Sequence, residues 1–155
     1  SRIASSPVSA DDSSVKFSKG TYPERISTIN VSRIVMRPVP VKYRNRIMDS
    51  RTGVLLANGD FVEGQMQSLD NDTLVVSSVL FGVKVYGIDQ VMAIVLAEIK
   101  TPAKTSRFNL RLENGSHFCV RGFRVDDKDI IVDDPSVGKM KIPLTEFNEM
   151  RAIVR

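Results

Sequence analysis

From Val54 onward the chain runs through one pattern twice, at a fixed spacing. Sliding the sequence by 56 positions places Leu56 on Leu112, Asn58-Gly59 on Asn114-Gly115, Asp70 on Asp126, Leu74-Val75-Val76 on Ile130-Ile131-Val132 and Gly82 on Gly138. The match continues without a gap, with Tyr86 on Ile142, Ile88 on Leu144, Val91 on Phe147 and Ile94 on Met150. An alternation of that length is hard to obtain by chance, so it reads as two copies of one small β-module. The division that follows is an N-terminal arm and strand over 1–51, a first repeat over 52–100 and a second over 105–155.

A chain of 155 residues buries roughly two-thirds of its unfolded surface, enough for one domain or two very small lobes. No apolar run approaches the ~20 residues of a membrane span, which predicts a soluble chain with no membrane span. It begins with Ser1 rather than Met and shows no signal peptide or lipidation motif. That reads as a processed or cloned fragment whose upstream signal could have been removed. Cys119 is the only cysteine, so the redox compartment stays open. Net charge is +4, made of +6 over residues 1–53, −4 over 54–100 and +2 over the remainder. The basic character belongs to the arm, and by itself it implies weak attraction to acidic partners, not nucleic acid.

Ser1 to Ser14 is Ser-rich and aperiodic, which ordinarily reads as a disordered tail. The expectation here is an ordered arm held along a lobe or a neighbouring chain. Ile26 to Met36 alternates as a strand, and the prolines of Arg37-Pro38-Val39-Pro40-Val41 must stop it or turn it into an edge. Lys42-Tyr43-Arg44-Asn45-Arg46 is the one basic stretch with an aromatic inside it. In nucleic-acid proteins such residues pair phosphates through Arg and stack a base on Tyr; otherwise the stretch is a solvated strand or turn with a half-buried Tyr43.

In the first repeat strands are predicted near Gly53 to Ala57, Phe61 to Leu69, Thr73 to Leu80, Val83 to Ile88 and Met92 to Ile99. Asn58-Gly59 predicts a hairpin with a type I′ turn, because both residues tolerate positive φ, and Asn114-Gly115 does the same in the second copy. Asp70-Asn71-Asp72 and Asp126-Asp127-Lys128 make the next turns, Gly82 and Gly138 allow a bend, and Asp89-Gln90-Val91 predicts a 3₁₀ turn before the last strand. Five short strands with that turn before the fifth is the plan of small SH3-like barrels, whose strongly bent sheet hides its edges. The fold class expected is all-β: two tandem five-stranded small barrels with an extended N-terminal arm.

Gly59, Gly64 and Asp70, with Leu55-Leu56 before them and Leu74-Val75-Val76 after, resemble the first motif of the Sm/LSm family, and Tyr86-Gly87, Val91 and Ile94 echo the second. The resemblance covers Val54 to Glu98 and, through the repeat, the second copy. It implies an Sm-like barrel and the family's habit of joining barrels through strand edges. The family holds RNA bases with an Asn after the motif Asp and with the Arg of an Arg-Gly step. Leu74 and Tyr86, and Ile130 and Ile142 in the second copy, occupy those places, so an RNA site of that kind is not expected. The L-x-N-G-x-x-x-x-G pattern of Leu56 to Gly64 is also similar to tandem modules in exported proteins of planctomycete-type bacteria, which implies an exported or cell-envelope location.

Catalysis needs convergent polar groups, and few are present. His117 and Cys119 share one side of a strand, and could be imagined as a nucleophilic pair or half a zinc site, but no third ligand or orienting group is spaced to join them. Asp70, Asp72, Asp126, Asp127 and Asp129 resemble fragments of a calcium loop without its Gly and distal Glu; they read as turn carboxylates. Tyr22, Tyr43 and Tyr86 are the only candidates for a sugar platform of tyrosine. The expectation is therefore a protein that is not an enzyme and carries no cofactor or metal, an interaction or assembly module with protein partners and a homo-oligomeric state. The alternative is nucleic-acid binding through Lys42, Tyr43, Arg44 and Arg46.

Overall fold

The computed structural model describes residues 2–4, 7–18, 24–48, 51–96 and 104–154. Tyr22, the end of the strand expected to reach Ile99, and most of the segment joining the two repeats lie outside them. The chain is all-β, and its described residues form four antiparallel sheets, none of them closed. It divides into two compact units, one formed by Ser6–Phe17 and Arg25–Lys100, the other by Ser1–Ser5, Ser18–Glu24 and Thr101–Arg155.

In the first of these units the arm is woven into the sheets. It supplies β1 (Pro7–Asp11), β2 (Ser14–Phe17), β3 (Arg25–Ser27), β4 (Arg33–Val35) and a short helix α1 (Arg44–Met48). The rest supplies β5 (Gly53–Leu56), β6 (Phe61–Glu63), β7 (Gln65–Leu69), β8 (Thr73–Ser78), β9 (Gly82–Gly87) and β10 (Val91–Val95). One sheet runs β3-β2-β1-β7-β8-β9 and the other β4-β10-β5-β6. Asp11 makes the β1–β2 turn by accepting from the Ser13 and Ser14 backbone N–H groups and the Ser13 hydroxyl, all at 2.8 Å. A polar sequence can form this hairpin because few apolar residues need to face inward: Ala10 from β1, and Val15 with the partly buried Phe17 from β2. Ala10 and Val15 are both buried.

Ala10 stands opposite Leu69 across the β1–β7 ladder, and Ile34 opposite Ile94 across β4–β10. These four join Val15, Val54, Leu74, Val76 and Val91 in one core. β10 is apolar at every position because both of its faces are covered. Val91 and Ile94 face that core, while Met92, Ala93 and Val95 pack with Leu55 and with Ile47 of α1. This explains an uninterrupted Val-Met-Ala-Ile-Val run in an antiparallel sheet, where alternation is the rule.

The second unit contains β11 (Phe108–Leu112), β12 (His117–Val120), β13 (Gly122–Asp126), β14 (Asp129–Asp134), β15 (Gly138–Pro143) and β16 (Phe147–Ala152). Its sheets are β12-β11-β16 and β13-β14-β15. Adding 56 to the bounds of β8, β9 and the 3₁₀ turn Ile88–Gln90 gives β14, β15 and the turn Leu144–Glu146. Its core is Leu110, Leu112, Phe118, Val120, Ile130, Val132, Met140 and Ile142.

Local structure departs from the sequence expectations in four places. The strand expected over Ile26 to Met36 is interrupted by a 3₁₀ turn at Thr28–Asn30, so β3 and β4 lie in different sheets. The strand expected over Phe61 to Leu69 breaks at Gly64, where a Cβ would lie 2.6 Å from the Ser77 carbonyl oxygen. The basic stretch is helical, with a 3₁₀ turn at Val41–Tyr43 leading into α1, and is neither strand nor simple turn. The Asn-Gly hairpins are not type I′: Gly59 and Gly115 have φ of +93° and +87°, whereas Asn58 and Asn114 are not among the positive-φ residues. Gly59 N–H donates to Leu56 and Leu56 N–H to Asp60, so an ordinary turn is followed by a bulged glycine, and only the glycine needs the left-handed region.

Candidate functional site

The largest departure from a solvated surface lies at the β8–β9 hairpin. Its tip is Val79-Leu80-Phe81, closed by the Ser78–Gly82 pair, and Leu80 is 81% exposed. Along β9, Val83 and Val85 stand opposite Ser77 and Val75, on the face turned away from the buried Leu74 and Val76, and Val85 is 63% exposed. β9 ends its sheet, so its outer backbone groups have no strand beside them among the described residues. An edge of this kind with apolar side chains along it is the template for adding a strand from another chain. The corresponding tip in the second unit is Pro135-Ser136-Val137 between Asp134 and Gly138, made with one large apolar residue in place of three. The hairpin geometry therefore does not require Leu80 and Phe81.

The basic segment uses part of its chemistry internally. Tyr43 is half-buried against the cluster formed by Ile47, Leu55 and Met92, with Lys42 Nζ 4.7 Å and the Arg46 guanidinium carbon 5.5 Å from its ring centroid. Arg46 Nη1 donates to the Gly59 carbonyl. Lys42, Arg44 and Arg46 all reach solvent, but the Tyr43 ring is committed to Gly59 and the two cations, which leaves it poorly placed to stack a base. Arg33 is partly buried beside this cluster. Its Nε donates to the Ile47 carbonyl, its Nη2 is buried with no hydrogen-bond partner among the described residues, and desolvation lowers its pKa.

His117 and Cys119 lie on one face of β12, while Phe118 and Val120 point into the core. His117 exchanges two backbone hydrogen bonds of 2.6 Å with Arg2, and Cys119 Sγ lies 3.4 Å from Asn109 Oδ1. Partial burial, with the charge of Arg111 opposite, holds the His117 pKa below its ordinary value. Asp70 spends its carboxylate on its own turn, accepting from Asp72 N–H at 2.8 Å and Thr73 N–H at 2.7 Å. Asp129 sits 3.4 Å from Lys141 Nζ, and Asp126 pairs with Asp129 across the β13–β14 hairpin. Among the described residues no three His, Cys, Asp or Glu side chains are grouped to hold a metal.

Leu74, Ile130 and Ile142 are buried in the cores and Tyr86 is half-buried against the first. The positions at which an Sm protein would hold bases are thus taken up by packing. No family model matches the chain, and neither do curated proteins or solved structures. Sequence reasoning missed the apolar β9 edge, although Val79-Leu80-Phe81-Gly82-Val83 against Pro135-Ser136-Val137-Gly138-Lys139 was a signal open to it.

Proposed function

We propose that this chain is a non-enzymatic interaction or assembly module, binding protein partners or a second copy of itself through strand edges. The observation that carries the reading is the apolar β9 edge, unpaired among the described residues, with Leu80 and Phe81 at its tip. Val83 and Val85 cannot be served by water, and an incoming strand would bury them while pairing the open backbone groups. We read the two segments as tandem small barrels of the Sm or SH3 plan. What supports this is the common element order, the shared 3₁₀ turn before the last strand and the break in each second strand at Gly64 and Arg121. The arm contributes by covering two edges of the first copy, β7 through β1 and β10 through β4.

The test is solution mass by light scattering for the parent and for a Val83→Asp, Val85→Asp double variant, at low and high salt. A salt-resistant oligomer that the double variant reduces to monomer supports assembly through β9. A parent that is monomeric, takes up no protein partner and gains mass only with RNA at low salt would replace this reading with nucleic-acid binding through Lys42, Tyr43, Arg44 and Arg46.

A further inference from the structure

The two segments carry the same strands but not the same cover. In the first, β1 closes the outer side of β7 and β4 closes the outer side of β10, so Leu69 is 2% exposed and Ile94 is buried. In the second, β13 pairs only with β14 and β16 only with β11 among the described residues. The residue 56 positions beyond Leu69 is Val125, and it is 57% exposed. The residue beyond Ile94 is Met150, half-buried with no strand among the described residues opposite it on that side. Between β13 and β16 lies a groove of about 300 Å³ lined by Phe123, Val125, Ile130, Leu144, Phe147 and Met150. The first-unit residues at the matching positions, Leu69, Leu74, Val91 and Ile94, share one buried core with Ala10, Val15 and Ile34 of the arm.

The sequence of β16 says what kind of strand would fit. β10 is apolar on both faces because α1 and its neighbours cover the second one. β16 keeps Phe147 and Met150 toward the groove but carries Glu149 and Arg151 where β10 has Ala93 and Val95. In the first unit β4 runs antiparallel to β10, with Arg33 opposite Val95, Ile34 opposite Ile94 and Val35 opposite Ala93. Transferred to β16, the same geometry sets three successive residues opposite Arg151, Met150 and Glu149. Opposite charges directly across a ladder are favourable, and like charges are unfavourable.

We propose that this groove takes an extended segment of a separate polypeptide, added antiparallel to β16, with an acidic, an apolar and a basic residue in succession opposite Arg151, Met150 and Glu149. The inference rests on the interaction-module reading and names the chemistry of one of its partners. The apolar residue fills the space that Ile34 fills in the first unit, and the flanking charges join the exposed Arg151–Glu149 pair, whose Nε and Oε1 are 2.7 Å apart.

The test uses the whole chain and two fluorescein-labelled peptides built on Val31–Arg37, one with Arg33→Glu and Val35→Lys, the other with those two charges exchanged. Fluorescence anisotropy should show saturable binding of the first peptide, about threefold weaker binding of the second as expected for two cross-strand charge pairs, and a loss of about tenfold in Val125→Asp. Val125 is exposed, so this variant keeps its fold, which circular dichroism verifies; Met150→Asp is the second variant. No saturable binding, or binding indifferent to both substitutions, overturns the proposal. A dimer in solution that Val125→Asp dissociates also overturns it, by making a second copy the occupant. If the peptides fail while the Val83, Val85 double variant still lowers the solution mass, the module reading stands and only the groove assignment falls. If both fail, both fall.

Discussion

Tyr43 closes over Gly59 so tightly that a Cβ on that glycine would lie 2.5 Å from the ring carbon Cζ, at a backbone φ of +93°. Gly115, at the corresponding turn, has φ +87° but meets only the Ala4 methyl at 3.7 Å. Gly59→Ala should therefore cost about 3 kcal/mol, from left-handed strain plus displacement of a packed ring, and Gly115→Ala about 1 kcal/mol from strain alone. Urea unfolding of the two variants checks the difference, and equal losses would mean that Tyr43 yields freely.

Val15 lies in a stretch whose composition reads as a tail, yet it is wholly buried. Val15→Ala should lower stability by about 2 kcal/mol, the loss expected for buried methyl groups. A melting temperature unchanged from the parent would show that the β1–β2 hairpin contributes no core.

Arg46 and Arg44 are neighbours with different duties. Arg46 donates to the Gly59 carbonyl, while Arg44 reaches solvent. Arg46→Ala should cost about 1 kcal/mol, as for a partly solvated charged hydrogen bond, with Arg44→Ala within experimental error. Any weak RNA retention at low salt should fall alike in both variants, because a phosphate contact counts charge and not position.

Asp70 supplies a pH signature. The backbone N–H groups of Thr73 and Asp72 hold its carboxyl below the ordinary value of 3.8. A depressed folded pKa means that the ionised form stabilises the fold fully above the unfolded pKa, and that this stabilisation disappears as pH falls through the folded value. Asp70→Asn should therefore melt below the parent at pH 6, and the gap should close as the pH is taken from about 4 downward. A gap constant from pH 6 to pH 2 would assign the effect to the turn's shape and not to its charge.

Much of the strand pattern was legible in the residues. Alternation at Leu74, Val76, Ile130 and Val132 placed β8 and β14, and the Asp89-Gln90-Val91 signal placed the 3₁₀ turn within one residue. What could not be read was pairing between distant segments. Ala10 from β1 and Val15 with Phe17 from β2 carry the arm's hairpin, too short an alternation among serines to stand out as a period. α1 buries only Ile47, so a five-residue helix left no helical stripe to find. The Asn-Gly turns were placed correctly but typed wrongly, since turn type follows from which hydrogen bonds the flanking strands close, Leu56 to Asp60 here, and Asn tolerates either outcome. The candidate site was hidden for a related reason. An apolar strand residue looks the same in sequence whether a neighbour covers it, as at Leu69, or nothing does, as at Val125.

The ladder between β4 and β10 also orders events during synthesis. Chains emerge N-terminus first, so the Ile34 side chain is made long before Ile94, and Val15 and Ala10 long before Leu69. Until β10 has been made, the arm has no partner for β4, and loop closure over that distance delays pairing. The nascent first unit thus completes late despite its early position, with β4 open to capture by other chains until residue 95 is in place.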